Sequence, residues 1–390
     1  MERLRALVNE IAYAQDHAKL SPLQSSIVPL LSFASSLYSV TLSLRRSLYH
    51  FGFFSKHRLA VPVISVGNLT WGGNGKTPMV EFIAHSLADS GISPLILTRG
   101  YAGGDEARML QRHLLGRPVK IGVGANRAAT AASFFEKYGY VDPRGCRFSQ
   151  RINIEEKVGD HLKSEQIAVV ILDDGMQHWS LSRDLEIVMV NGLMRWGNHQ
   201  LLPLGPLREP LMALKRADVA VVHHADLISE QNLKDIESEI REIRNSLPIY
   251  FTRMAPSCFF EVENVNSEIP LTTVCNSVLL CVSAIGSADA FAQDLRKLGA
   301  HYVDRVDFSD HHLFQAKDIE MIRKKLGELE VRFNSKPIVV VTEKDYDRDS
   351  EVLKHLQPFK VLVLCSKLQI MPHRGCSEDS FKKLLKEYLE

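Results

Sequence analysis

The chain has 390 residues, a length at which two domains, each with its own core, are the natural expectation. Hydrophobic residues make up 45% and charged residues 24%, which is ordinary for a globular chain. The 47 basic and 46 acidic residues nearly cancel, so there is no broad electrostatic case for nucleic acid; six scattered cysteines without a CxxC pair exclude a zinc ribbon or a disulfide framework and read as reduced intracellular thiols.

The first twenty residues carry Arg3 and Arg5 but also Glu2, Glu10 and Asp16, a poor match to an acid-poor organellar presequence. Residues 27–44, IVPLLSFASSLYSVTLSL, form an apolar run, followed by the cations Arg45, Arg46, Lys56, His57 and Arg58. The run contains Pro29 and several serines, and a spanning helix needs about 20 mostly apolar residues. The pattern therefore predicts an apolar helix pair lying in the membrane interface, its basic residues toward anionic headgroups. A buried helical hairpin packed on the main domain has the same length and stays open.

Residues 61–78, VPVISVGNLTWGGNGKTP, join a β-branched strand to a Gly-rich loop and then to helix-forming sequence. That order suits a phosphate cradle, in which loop amides and a helix N-terminus converge on phosphate oxygens. Thr70, Gly72, Gly73, Asn74, Gly75, Lys76 and Thr77 are the candidate nucleotide ligands. Lys76 would reach the β/γ-phosphates, and the Thr77 hydroxyl would ligate Mg²⁺. Thr70 stands where the usual pattern has its first glycine.

A helix follows at about 79–90, then a strand at 94–98 and the turn Arg99 to Gly104, after which come Asp105 and Glu106. Strands are expected at 119–123, 168–172, 185–190 and 219–222, with a helix at 126–137; such continuous apolar strands separated by helices indicate a parallel sheet covered on both faces. Residues 138–166 read as a polar surface insertion. The strand at 168–172 ends in Asp173, Asp174, Gly175, Met176, Gln177 and His178. Acid at a strand end is the expected Mg²⁺-holding partner of a phosphate loop. Adjacent strand residues point to opposite faces, so both aspartates can serve only if the strand ends between them. In LPLGPLRE, Arg208 could neutralise phosphoryl charge and Glu209 could complete a Mg²⁺ shell, though alone they read as a surface ion pair.

A helix is expected at 230–246, and past Pro248 the alternation restarts with strands at 278–282, 301–306, 337–341 and 360–364 and a last helix at 380–389. The expected division is 1–58 helical and membrane-associated, 59–248 and 249–390. Asp310-His311-His312 offers a carboxylate–imidazole pair able to activate an alcohol. Spacing does not connect it with Asp105, which falls in the other expected domain. Thr342-Glu343-Lys344-Asp345 only superficially resembles a guanine-reading motif, because its lysine is displaced.

The blocks VGNLTWGGNGKTP, TRGYAGG, DDGMQH, LPLGPLRE, Asp310-His311 and TEKD, in this order, resemble the tetraacyldisaccharide 4′-kinase family of lipid A biosynthesis. Thr70 in the phosphate loop is itself a trait of that family. The resemblance implies ATP- and Mg²⁺-dependent phosphorylation of the 4′-hydroxyl of a tetraacyldisaccharide 1-phosphate, giving lipid IVA. It implies an α/β fold: a P-loop NTPase parallel-sheet domain, a second, smaller α/β domain closing over the site, and N-terminal membrane-associated helices. It implies Lys76 and Arg208 on the phosphates, Asp105 as base with His311, and Thr77, Asp173, Asp174 and Glu209 around the metal. Asp105 and His311 on different domains would couple catalysis to closure. The expected partners are an acylated disaccharide lipid and a membrane surface, with the protein acting as a monomer. The insertion and N-terminal extension resemble plant members, which are mitochondrial; a bacterial member would sit on the cytoplasmic face of the inner membrane. Here Gly103-Gly104-Asp105 is contiguous, whereas bacterial relatives place a longer segment before the acid. The alternative from another class is a membrane-associated P-loop ATPase acting as a regulatory or assembly factor.

Overall fold

The computed structural model describes residues 2–14, 20–100, 105–141 and 166–389. Two compact units emerge: residues 1–99, 116–253 and 370–390 form one, and residues 100–115 with 254–369 form the other.

In chain order the first unit begins with helices α1 (Glu2–Tyr13) and α2 (Pro22–His50), then strand β1 (Val63–Asn68), α3 (Lys76–Asp89) and β2 (Pro94–Thr98). The chain leaves for α4 (Asp105–His113) in the second unit and returns with β3 (Lys120–Val123), α5 (Arg127–Tyr138), β4 (Val169–Asp173), β5 (Leu185–Asn191), β6 (Val219–His223) and α6 (Glu230–Ile243). Strand order is β6-β5-β1-β4-β2-β3, all parallel, and the first residues of β7 (Ile249–Glu261) pair with β6. Every residue of β1, β2, β4, β5 and β6 is buried, which is why these strands read as unbroken apolar runs. β1 lies between β4 and β5, so its carboxyl end opens where the connections diverge to either side, the place where ligands bind in such sheets.

The second unit adds β8 (Asn264–Ile269), antiparallel to β7, then β9 (Val278–Ser283), α7 (Ala288–Lys297), β10 (Tyr302–Asp307), α8 (Ala316–Phe333), β11 (Ile338–Thr342), α9 (Glu343–Arg348), α10 (Ser350–Lys354) and β12 (Lys360–Met371). Its parallel strands run β10-β9-β11-β12, with one core around Ile322, Leu326 and Val341 and another around Leu279, Phe291 and Leu362. The last helix, α11 (Glu378–Glu387), belongs to the first unit, not to the expected 249–390 domain, because Phe381 is fully buried edge-on against Tyr250.

The expected apolar helix pair takes a different form. α2 is one continuous helix of 29 residues through Pro29, started by a reciprocal capping box between Ser21 and Gln24. Leu30, Phe33, Leu37, Val40 and Leu44 recur three and four apart and are 54–69% exposed, a single apolar stripe. The other side is hooked to the unit: Ser35 Oγ donates to the Leu201 carbonyl (2.9 Å), Tyr38 Oη to that of Arg208 (2.8 Å), and Arg45 Nη2 to that of Gln177 (2.9 Å). α2 is therefore not the buried hairpin that its length also allowed. The insertion expected at 138–166 lies mainly outside the described residues.

Candidate active site

The Gly-rich loop is built by its neighbours. Its amide at Trp71 donates to the Pro206 carbonyl (3.0 Å), and the Arg208 amide donates to that of Leu69 (2.6 Å), so LPLGPLRE is laced to the loop. Inside the loop, Asn74 Nδ2 donates to the carbonyls of Trp71 (3.3 Å) and Gly72 (3.0 Å), while Thr70 Oγ1 donates to Asn74 Oδ1 (3.2 Å). Asn191 Nδ2 donates to the Gly73 carbonyl (2.7 Å). These side chains hold the loop's carbonyls at Trp71, Gly72 and Gly73, fixing a backbone path of the kind whose amides can face an anion. Thr70, buried, thus does in place of glycine a bracing job that a glycine has no side chain to perform.

Gly75 ends the loop at φ +78°, and α3 starts at the next residue. A Cβ there would stand 2.5 Å from Cδ2 of His223, whose ring is buried against the loop. Burial holds the His223 imidazole well below its usual value, hence neutral, and its Nδ1 lies 3.0 Å from Thr252 Oγ1. His223 and Asn191, the last residues of β6 and β5, support the loop but carry no sequence signal beyond a polar residue closing an apolar run.

β4 ends at Asp173, and Asp174 follows in the left-handed region at φ +54°, so the strand terminates between the two acids, as shared service requires. Asp173 is buried and its carbonyl accepts from Arg127 Nη2 (3.2 Å). Asp174 takes both its oxygens to Arg208 Nη1 (2.8 and 2.9 Å) and lies 3.7 Å from Lys76 Nζ. Burial alone would raise the Asp174 carboxyl, but Lys76 and Arg208 outweigh it and hold it below the usual range. Lys76, Asp174 and Arg208, from three separate sequence blocks, thus meet at the N-terminus of α3. Glu209 is buried and accepts from Arg216 Nη2 on both oxygens (3.1 and 2.9 Å) and from Gln177 Nε2 (3.4 Å).

Beneath the acids, Arg183 donates to the carbonyls of Gly175 (2.9 Å) and His178 (2.7 Å), and is itself held by buried Glu186 (2.6 Å). Burial, with Arg127 and Arg183 nearby, drops His178 to about 4, so its imidazole is neutral at neutral pH. A cavity of about 420 Å³ opens beyond the carboxyl ends of β5 and β6, lined by Tyr13, Leu193, Arg195, Ile228, Asn232 and others. Tyr13 also donates to the Trp71 carbonyl (3.4 Å), so the cavity adjoins the Gly-rich loop.

In the second unit, Asp105, which follows the expected turn, opens α4; its side chain lies outside the described residues. His311 sits at φ +63°, with its amide donating to the Ala284 carbonyl (3.2 Å) and its Nε2 3.7 Å from Asp310 Oδ2. Asp105 and His311 fall in the same unit, not on opposite domains, because α4 packs with α9 rather than with the sheet that precedes it. The expected coupling of that pair to domain closure falls with it.

The family model described as tetraacyldisaccharide-1-P 4′-kinase matches residues 27–389. A protein of Arabidopsis thaliana named probable tetraacyldisaccharide 4′-kinase, mitochondrial, is 59% identical, over 100% of this chain and 98% of its own. A tetraacyldisaccharide 4′-kinase of Halothermothrix orenii is 30% identical over 81% of each chain. The crystal structure of LpxK from Aquifex aeolicus in complex with ATP shares the fold, with a TM-score of 0.61 at 24% identity over 94% of this chain and 100% of that one.

Proposed function

The chain belongs to the tetraacyldisaccharide-1-P 4′-kinase family, and from that premise we propose how its own residues carry the reaction. The enzyme is a kinase of lipid A biosynthesis, phosphorylating the 4′-hydroxyl of a tetraacyldisaccharide 1-phosphate to give lipid IVA, with ATP as donor. The observation that carries the residue assignment is the meeting of Lys76, Asp174 and Arg208 beside the Gly-rich loop.

The amides of Gly72 to Gly75 and the N-terminus of α3 cradle the phosphates, and Lys76 exchanges Asp174 for a β/γ-phosphate oxygen. Arg208 stabilises the charge that develops on the transferred group. Thr77, Asp173 and Asp174 offer only hard oxygen donors, which suits Mg²⁺. When bound, that ion neutralises charge on the phosphoryl oxygens. Glu209 joins this set once Arg216 releases it. The cavity beyond β5 and β6 receives the nucleoside, as expected at the carboxyl ends of parallel strands. Asp105, with His311, accepts the proton of the sugar hydroxyl.

The exposed stripe of α2 lies in the membrane surface, where the acceptor's acyl chains reside. Its opposite face is occupied by protein contacts, which favours lying in the interface over spanning. The protein acts as a monomer at a membrane surface, and the name of the Arabidopsis relative, which is called mitochondrial, supports a mitochondrial location.

The test is transfer from ATP to a tetraacyldisaccharide 1-phosphate by the purified full chain. Lys76→Ala should lower kcat by at least about 10²–10³-fold, the scale of losing one transition-state charge partner. Transfer that survives the substitution rejects this site. ATP turnover without lipid, unaffected by Asp105→Ala, would instead support the regulatory ATPase.

A further inference from the structure

Thr342-Glu343-Lys344-Asp345 lies in the second unit, and each of its side chains is committed. Thr342 caps α9, accepting from the Asp345 amide (3.3 Å). Glu343 accepts from Arg112 Nη2 (3.0 Å) and lies 2.7 Å from His113 Nε2, both on α4. Asp347 binds Arg112 twice (3.0 and 2.8 Å), and Arg108 Nη2 donates to the Arg348 carbonyl (3.2 Å). α9 therefore grips α4 at 108, 112 and 113.

The same helix grips the 310–312 turn. Buried Asp345 accepts from the Ala284 amide (3.1 Å) and from Arg348 Nη1 (2.7 Å). Arg348 donates to the carbonyls of Ala284 and His312, each at 3.2 Å, and the Ala284 carbonyl takes the His311 amide. This lattice holds His311 in its left-handed conformation, which costs a non-glycine residue on the order of 1 kcal/mol. Lys344 closes the arrangement: its Nζ is 3.4 Å from Glu106 Oε1, 3.5 Å from Asp310 Oδ1 and 3.4 Å from His311 Nε2.

We propose that α9 is the positioning element for the acceptor base, and that Lys344, touching both Glu106 next to Asp105 and His311, fixes how those two groups meet the hydroxyl. The inference rests on Asp105 and His311 being that base. An ammonium group donates and cannot accept, so in its contact with His311 Nε2 (3.4 Å) that nitrogen can only be the acceptor. It also neutralises two carboxylates that would otherwise repel each other beside Asp105. Arg348 shares the double contact but acts on backbone, so it sets the turn and not the ring.

The experiment is a double-mutant cycle in the full chain with saturating ATP and lipid acceptor. Lys344→Met should lower kcat by about 10²-fold, the scale of a 1 Å misplacement, with KM for ATP unchanged, and Lys344→Arg should recover most of it. Lys344→Met combined with His311→Ala should be no slower than His311→Ala alone, because a residue acting through His311 has nothing left to position. If Lys344→Met fails to fold, Glu106→Ala removes the same link from α4 and takes its place in the cycle. Multiplying single-mutant losses, or a normal kcat in Lys344→Met, would overturn the proposal while leaving the base assignment intact. Normal kcat in both Asp105→Ala and His311→Ala would instead overturn the base assignment, and this proposal with it.

Discussion

Gly75→Ala tests how the phosphate loop is supported. The native backbone there has φ +78°, and an L-residue in that region costs about 1–2 kcal/mol. The added Cβ would also stand 2.5 Å from His223 Cδ2 and 2.7 Å from its Cγ. That ring is buried and tied to Thr252, so it cannot swing aside without losing a partner. Overpacking of this kind costs about 1–3 kcal/mol. The two effects together predict a loss of about 2–5 kcal/mol, read from denaturant midpoints, with ATP affinity falling in parallel. In a His223→Ala background the steric part is absent, so Gly75→Ala should cost only the dihedral part, about 1–2 kcal/mol relative to His223→Ala alone. A Gly75→Ala protein within about 0.5 kcal/mol of the parent, the range of a neutral surface change, would refute the packing argument. So would a double variant no more stable than expected from simple addition.

Two further outcomes follow from the same unit. His178 is lowered to about 4 in the fold but titrates near 6.5 in the unfolded chain, so between those pH values the unfolded state binds more protons. Stability should therefore fall as pH drops from about 6.5 to 4, and His178→Gln should flatten that slope in urea titrations; an unchanged slope would show that His178 is not its source. Leu37→Glu with Val40→Glu on the exposed stripe of α2 should weaken binding to anionic vesicles by at least about 10²-fold, since each buried aliphatic side chain contributes roughly 1.5–3 kcal/mol, while ATP affinity stays unchanged. Unaltered vesicle sedimentation would remove α2 from the membrane contact.

The Gly-rich loop was legible in the sequence because it is a backbone path, and strand, glycines and helix are local signals. The two acids were legible as a strand end, and Asp174 at φ +54° supplies the break between them that sharing needed. What spacing could not show is support from afar. His223 and Asn191 read as strand-closing polar residues, and only the fold brings them under Gly75 and Gly73. No helix was expected at Asp105, which read only as the residue after a Gly-rich turn, because α4 is short and polar. Its helical identity depends on Arg112 and His113 meeting Glu343, far along the chain. The TEKD block read as one of the family's blocks and as a failed guanine reader, but not as a clamp, because a clamp between two distant segments leaves no periodic signature. The grouping of 100–115 with 254–369 was invisible for the same reason.

The hooks of α2 bear on how this protein should be handled. Tyr38 and Arg45 satisfy the carbonyls of Arg208 and Gln177, the first a candidate phosphate ligand and the second beside the candidate metal acids. Cutting away the first 58 residues to gain solubility would expose those carbonyls to solvent and loosen the loops that carry them. A trimmed protein would then report a weakened enzyme and invite the conclusion that the lipid surface activates it. Polar substitutions along the outward stripe keep the hooks and separate the two effects.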